Sequence, residues 1–390
     1  MGVPLRYNIR NLVERKGTTL MTALGIGLTV AVLITSVAMS RGMDAVFSGS
    51  GNPRHAIVLR AGNDAELTST VSESTFQIIR RFPGVARGKD GQPLASPEGQ
   101  TVVNLPSVEN PNGMNVTVRG LLPIGIGMRE ELKLIAGRWH QPGQREVVVG
   151  DGIAARYPSA RIGQTLRFGR GEWMVVGLFT NGDSSSNSEI WADLNQLRGD
   201  FEQQGGSNSV LVRLESIGAV QKFVDRVKDD QRLGSQAVPE PTYYANMTKS
   251  STGSMLQFIG FFVAVVMAVG SGFAATNTMY AAVARRGREI ATLRALGFGK
   301  FAILRSFVFE SVCLALIGGL IGCLLALPLN NVSAGIGNFQ TFSEVAFRFQ
   351  IDAVAIIGGL TFACIIGFLG GFLPAWAAAK KNVIAAMRDV

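Results

Sequence analysis

The chain has 390 residues, a net charge of +9, 47% hydrophobic residues and only 17% charged ones, with 47 glycines and three cysteines. That length supplies an ordinary core without disulfide or metal staples, and the composition excludes disorder and collagen-like repeats while leaning towards a membrane protein. A surplus of bases would suit nucleic acid or an anionic surface, so their placement decides what the charge means.

Bases come first in chain order. Arg6, Arg10, Arg15 and Lys16 precede residues 17–40, which carry no charge. A cleaved signal peptide is the alternative for this start, but its apolar region covers only about 7–15 residues, and this run is longer. Three more uncharged runs follow, at 250–284, 311–343 and 353–379. Each exceeds the roughly 20 residues that cross a hydrocarbon core, which predicts transmembrane helices at 19–39, 255–282, 307–329 and 351–373.

The flanks orient them. The start, the loop with Arg285, Arg286, Arg288, Arg294, Lys300 and Arg305, and the tail with Lys380, Lys381 and Arg388 hold thirteen bases against Glu14, Glu289 and Asp389. The loop between the third and fourth spans has Arg348 as its one base. By the positive-inside rule both termini are expected in the cytoplasm and the chain in the inner (plasma) membrane. Residues 40–254 are nearly neutral, with 23 bases and 22 acids, so the charge reports topology and nucleic acid is not expected as a partner.

The 40–254 segment mixes strand and helix signals. Strands are expected at 56–60, 115–121, 146–150 and 164–168, the last turning through Gly169-Arg170-Gly171 into 172–179. Helices are expected at 69–82 and at 216–230, where Ile217, Val220, Phe223, Val224 and Val227 share one face. The segment contains no cysteine.

Chemistry is scarce along the whole chain. His55 and His140 lie far apart without metal-spaced partners, Glu130-Glu131 reads as a solvated turn, and 183–189 lacks the pattern of a calcium loop. Neither Gly-x-Ser-x-Gly, His-Glu-x-x-His nor a phosphate loop ending in Gly-Lys-Ser/Thr occurs, so no catalytic site, metal or resident cofactor is expected. Within the spans Glu310 and Asp352 lie near the ends. Gly318/Gly322 and Gly367/Gly371 repeat at the spacing of close helix packing, and Cys313, Cys323 and Cys364 read as small packing residues. After the second span, Ile290, Leu293, Leu296 and Gly297 have helical spacing with bases at the flanks. Periodicity alone leaves open a helix on the anionic leaflet or one docked in a partner's groove.

Asn277-Thr278-Met279, followed by Arg286, Arg288, Glu289, Ile290 and Leu293-Arg294-Ala295-Leu296-Gly297, resembles the signature of FtsX/MacB-type (type VII) ABC transporter permeases. The stretches 10–27 and Glu310 with 318–322 are similar to the same family. So is the tail from Pro374 to Ile384-Ala385-Ala386-Met387-Arg388, where Met387 stands for the usual Leu. Residues 136–138, 147–150, 162–166 and 175–177 resemble landmarks of the MacB periplasmic core.

The resemblance implies a membrane protein of four transmembrane α-helices with a large mixed α+β extracytoplasmic domain inserted between helices one and two. Its parts are an amphipathic cytoplasmic leading helix (1–18), spans at 19–39, 255–282, 307–329 and 351–373, and a MacB-like domain (40–254). An ATPase-coupling loop (283–306), a short external loop (330–350) and a cytoplasmic tail (374–390) complete them.

It also implies a mechanotransmission subunit for export or efflux, with the alternatives of a cell-division-type regulatory transmitter or a lipoprotein-release permease. The macrolide exporter carries its ATPase ahead of the first span and these residues leave no room for one, so ATP is expected on a separate ABC ATPase subunit. The other expected partners are a second permease copy, a periplasmic adaptor and membrane lipid. The ATPase-docking element implied is Arg286, Arg288, Glu289, Ile290, Leu293, Arg294, Leu296 and Gly297.

Overall fold

The structure, a computed structural model, describes residues 16–106, 112–202, 205–249, 251–338 and 342–380. Most of the leading helix expected at 1–18 and the closing element around Met387 lie outside the described residues. Among the described residues four long helices, Lys16–Ser48, Ser251–Arg285, Lys300–Ala326 and Ala353–Lys380, coincide with the expected spans and are long and apolar enough to cross a membrane, while the third uncharged run continues past its helix into Ser333–Asn338. The first two extend beyond both ends of the spans expected for them, because helical hydrogen bonding does not stop where the hydrocarbon does; the third starts earlier but ends at Ala326, and the fourth starts at Ala353 and runs on to Lys380.

Among the described residues the chain divides into two compact units. The helical unit comprises residues up to Arg41, Met255–Val332 and from Phe349 onward. The sheet unit comprises Gly42–Ser254 and Ser333–Arg348. The loop between the third and fourth long helices therefore belongs, over most of its length, to the sheet unit, which the sequence did not reveal.

In the helical unit, Ile26, Val30, Ile34, Ala315, Ala355 and Ala363 form an apolar core in which small residues set the spacing. A methyl group built on Gly322 would lie 2.5 Å from the Gly27 carbonyl oxygen, and one on Gly367 would lie 2.5 Å from the Ala315 methyl. Both four-residue glycine repeats are thus used within one chain, to let backbones meet. Hydroxyls bridge the same helices: Thr276 Oγ1 donates to the Gly370 carbonyl at 3.0 Å and Ser311 Oγ to the Gly367 carbonyl at 2.7 Å. The second long helix is the least covered, with Phe258, Phe261, Phe262 and Phe273 exposed.

The sheet unit is built on a mixed sheet. Its strands are β1 (His55–Arg60), β3 (Ala95–Leu105), β4 (Met114–Leu121), β5 (Lys133–Gly137), β6 (Glu146–Gly150), β7 (Thr165–Phe168), β8 (Gly171–Thr180), β9 (Glu189–Asp193), β11 (Ser209–Arg213) and β12 (Ser235–Pro239). They run in the order β12-β1-β11-β3-β4-β9-β6-β8-β5, with β7 paired to β8. The pairs β4–β9 and β6–β8 are parallel. Short strands β2 (Val71–Ser72) and β10 (Gly206–Ser207) pair apart from it.

The β7–β8 hairpin turns at the predicted glycines, and β8 alternates inward Trp173, Val175 and Phe179 with more exposed neighbours. One core lies around Val116, Val118, Val147, Val149 and Ile190. A second packs Ala56, Val58, Val210 and Val212 against the helices Glu73–Ile79 and Ile217–Asp229. In the latter helix Val220, Phe223 and Val227 are buried, as their spacing requires. The helix expected at 69–82 is shorter because Ser72 caps it, its hydroxyl accepting from the Thr75 amide.

The segment Ser333–Arg348 forms the hairpin β13 (Ser333–Asn338) and β14 (Ser343–Arg348). Thr117 Oγ1 donates to Ser343 Oγ at 2.7 Å, the Ala346 amide to Ser188 Oγ at 2.8 Å, and Asn115 Nδ2 to the Phe342 carbonyl at 3.0 Å. Glu344, buried, pairs with Arg156 and accepts the Tyr157 hydroxyl.

Candidate functional site

The second long helix ends at Arg285, and a short helix, Gly287–Ala295, follows before the third begins at Lys300. Its stop is legible in the sequence. Gly297 has φ +92°, its amide donates to the Arg294 carbonyl at 3.1 Å, and the Phe298 amide reaches back to the Leu293 carbonyl at 3.1 Å. This is the double hydrogen bond of a Schellman cap, which favours glycine at the left-handed position.

The expected docking residues divide between two faces. Arg286 is buried: its Nη1 donates to Glu310 Oε2 at 2.9 Å, its Nε to Glu289 Oε2 at 3.1 Å, and its guanidinium lies 5.3 Å from the Phe307 ring centre. Ile290 is buried with Met279, Val283, Ile303, Phe307, Ala375 and Ala378. Leu293 and Arg294 are half-buried, and Leu293 lines a small gap with Ile303 and Phe307. Arg288, Glu289, Leu296 and Gly297 are exposed, Leu296 by 71%. Arg286 and Ile290 therefore anchor the short helix to the third and fourth long helices, and the exposed part of the element that the resemblance implies is smaller than its eight residues. Glu310 is held in this pair, and at the other end of the unit Asp352 pairs with Arg41.

Sequence reasoning missed a polar cluster in the sheet unit. Arg119 of β4 is buried, and all five of its N–H groups are used. Nε and Nη2 donate to Glu189, Nη1 and Nη2 to Glu66, and Nη1 also to Glu98, at 2.8–3.0 Å. Arg129 reaches Glu98 at 2.9 Å and lies 5.2 Å from the Trp191 ring centre, while Trp191 Nε1 donates to Glu189 at 2.8 Å.

Burial alone would raise the Glu66 carboxyl, but the charge and hydrogen bonds of Arg119, with Ser209, hold it below the usual carboxylate range. Burial would lower Arg119, yet the charges of Glu189 and Glu66 hold it well above its ordinary value. His55 and Glu240 adjoin the cluster, with Nδ1 2.9 Å from Oε2. His140 is also buried, and burial lowers its pKa. The only sequence signal for this cluster is isolated acids and bases on apolar strands, such as Arg119 within Val116–Leu121.

Comparison with known proteins agrees with this architecture. A family described as the MacB-like periplasmic core domain matches residues 19–230, and one described as the FtsX-like permease C-terminal matches residues 261–383. The chain belongs to the FtsX/MacB-type ABC transporter permeases. It is 27% identical over 416 residues to an uncharacterized ABC transporter permease, YknZ, of Bacillus subtilis, covering 98% of each chain. It is 23% identical to the macrolide export ATP-binding/permease protein MacB of Neisseria gonorrhoeae, covering 98% of this chain and 60% of that one. Among solved structures it is similar to the periplasmic region of MacB from Actinobacillus actinomycetemcomitans, at 12% identity and a TM-score of 0.38, covering 52% and 96% of the two chains.

This FtsX/MacB-type permease is a multi-pass membrane protein whose sheet unit is the extracytoplasmic domain inserted after the first helix. Members of this family are the permease subunits of ABC transporters and work with an ABC ATPase.

Proposed function

We propose that this permease couples a separate cytoplasmic ATPase to export of an extracytoplasmic substrate by mechanotransmission, the ATPase docking on the outward face of Gly287–Ala295. The carrying observation is the two-faced placement of that helix. An aliphatic that fills a partner's groove must be exposed in the lone subunit, as Leu296 is, with Arg288 and Glu289 exposed beside it for charge pairing. Arg286 and Ile290 have a transmitting role instead, because a buried ion pair and a packed side chain oblige the third long helix to follow the short one. In sequence, that third helix leads directly to the β13–β14 hairpin, which is part of the extracytoplasmic unit.

In this reading both termini and the 283–306 loop are cytoplasmic and the chain lies in the inner (plasma) membrane, as the basic flanks favour. The exposed apolar face of the second long helix supports a second copy of the chain as dimer partner, with lipid around both. ATP belongs to the ATPase subunit, and a periplasmic adaptor serves the export route. Sparse charge along the spans suits a subunit that moves without passing substrate through the bilayer centre.

Co-purification with the cognate ATPase from detergent tests the docking face. Leu296→Asp puts an unpaired carboxylate in an apolar groove and is expected to abolish association, while Arg288→Ala weakens it about fivefold. Full retention of the ATPase by monodisperse Leu296→Asp protein overturns the assignment.

A further inference from the structure

Beside Arg119 the sheet unit encloses a cavity of about 120 Å³ whose walls include His55, Asn181, Ser184, Glu189, Glu240 and Tyr244. We propose that this cavity binds a small organic cation through its ammonium group. The site is independent of the docking face and of the direction of transport.

Charge bookkeeping points to a cation. Four carboxylates, Glu66, Glu98, Glu189 and Glu240, have side chains no more than 11% exposed, against two guanidiniums, Arg119 and Arg129, at 4% and 12%. Glu130 at the rim pairs with Arg213 and stays out of the count. Even with His55 as imidazolium the buried group keeps one negative charge in excess, and burying uncompensated charge is costly. Arg119 has no donor left for an anionic ligand, since each of its N–H groups already meets a carboxylate.

A second observation is independent of charge. His55 is 2% exposed and its Nε2 has no partner among the described residues, although its Nδ1 meets Glu240. With the Nδ1 proton donated to Glu240, Nε2 presents a buried lone pair, which calls for a donor. An ammonium supplies donors and a positive charge in one group of the right size, and Tyr244 offers an aromatic wall of the kind that favours it. A metal ion fits less well, because no three His, Cys, Asp or Glu side chains converge at ligand spacing among the described residues.

The test is isothermal titration of the full chain in neutral detergent with methylammonium chloride, using potassium, magnesium and calcium chlorides as comparison salts. One saturable site is expected with a Kd on the order of a few mM, which Glu240→Gln weakens about tenfold and Tyr244→Leu several-fold. If Glu240→Gln does not elute as a folded species, Tyr244→Leu alone carries the comparison. No saturation of the wild-type chain by methylammonium, unchanged affinity in a folded variant, or a site that fills with magnesium or calcium and excludes methylammonium each overturns the proposal.

Discussion

The two units treat buried charge in opposite ways. Among the described residues of the helical unit, Arg286 and Glu310 are the only charged side chains in the buried class, and they face each other near one end of the bundle. The rest of that interior is held by alanines, glycines and hydroxyls that let backbones touch. The sheet unit instead collects Glu66, Glu98, Arg119 and Glu189 in one connected cluster, with Glu240 buried beside it. Hydrocarbon gives an unpaired charge no refuge, so membrane helices meet through shape; a domain with aqueous surroundings tolerates buried ions that define one arrangement of its strands.

Removing Arg119 would break the contrast most severely. Arg119→Met leaves Glu66, Glu98 and Glu189 buried without their shared partner and is expected to cost about 5 kcal/mol or more. Thermal unfolding of the purified protein, read with limited proteolysis of the external domain, measures it. The pH dependence is sharper. The folded-state pKa of Glu66 lies below its ordinary 4.5, so its stabilising contribution is complete above that value and is lost as pH falls through the folded pKa. Without Arg119, burial is the dominant influence and raises the carboxyl, so acidification from pH 7 towards 4.5 should stabilise the variant while the wild type gains nothing. Parallel pH profiles for the two proteins would refute the account of the cluster.

The helical unit has the smaller counterpart. Arg286→Ala leaves Glu310 buried beside Phe307 with no guanidinium, which should cost about 3 kcal/mol, and Arg286→Met with Glu310→Leu should recover most of it. Unfolding midpoints in one detergent compare them. If the double variant is no better than the single one, the pair is not what joins the short helix to the third long helix.

Shape complementarity predicts a finer pair. A methyl at Gly322 meets the Gly27 backbone, which cannot rotate away, so Gly322→Ala should cost about 1–3 kcal/mol. Gly358→Ala, in the second turn of the fourth long helix with nothing among the described residues within 4 Å, should be neutral or gain about 0.5–1 kcal/mol from helix propensity. Equal midpoints for the two variants would mean that close approach at Gly322 is not maintained in the membrane.

What the sequence disclosed follows the same division. Uncharged runs, glycine repeats, the Gly297 stop, the β7–β8 turn and the buried face of Ile217–Asp229 are local patterns, and each was legible from spacing. The Arg119 cluster was not, because its partners lie 21, 53 and 70 residues away and only the sheet order unites them. The membership of Ser333–Arg348 in the sheet unit was hidden for the same reason: Ser343 meets Thr117 across 226 residues. At the short helix Gly287–Ala295, neither spacing nor resemblance shows which side is covered, and the docking element implied by the resemblance groups the buried Arg286 and Ile290 with residues that face solvent.

At the solvent-exposed surface the contrast between the units ceases to matter. Arg167 and Glu172 pair across the β7–β8 hairpin with side chains 82% and 58% exposed. At that exposure water screens the attraction, and holding two long side chains together costs entropy that offsets it. Arg167→Ala should therefore leave the unfolding midpoint unchanged within error at low and at high salt. The Arg145–Asp200 pair differs in one respect, since the Asp200 side chain is only 4% exposed and would be left desolvated by Arg145→Ala. That variant should show a measurable drop. Equal behaviour of the two variants would show that burial of one partner does not set the strength of ion pairs in this domain, and burial would then not account for a large effect at Arg119 either.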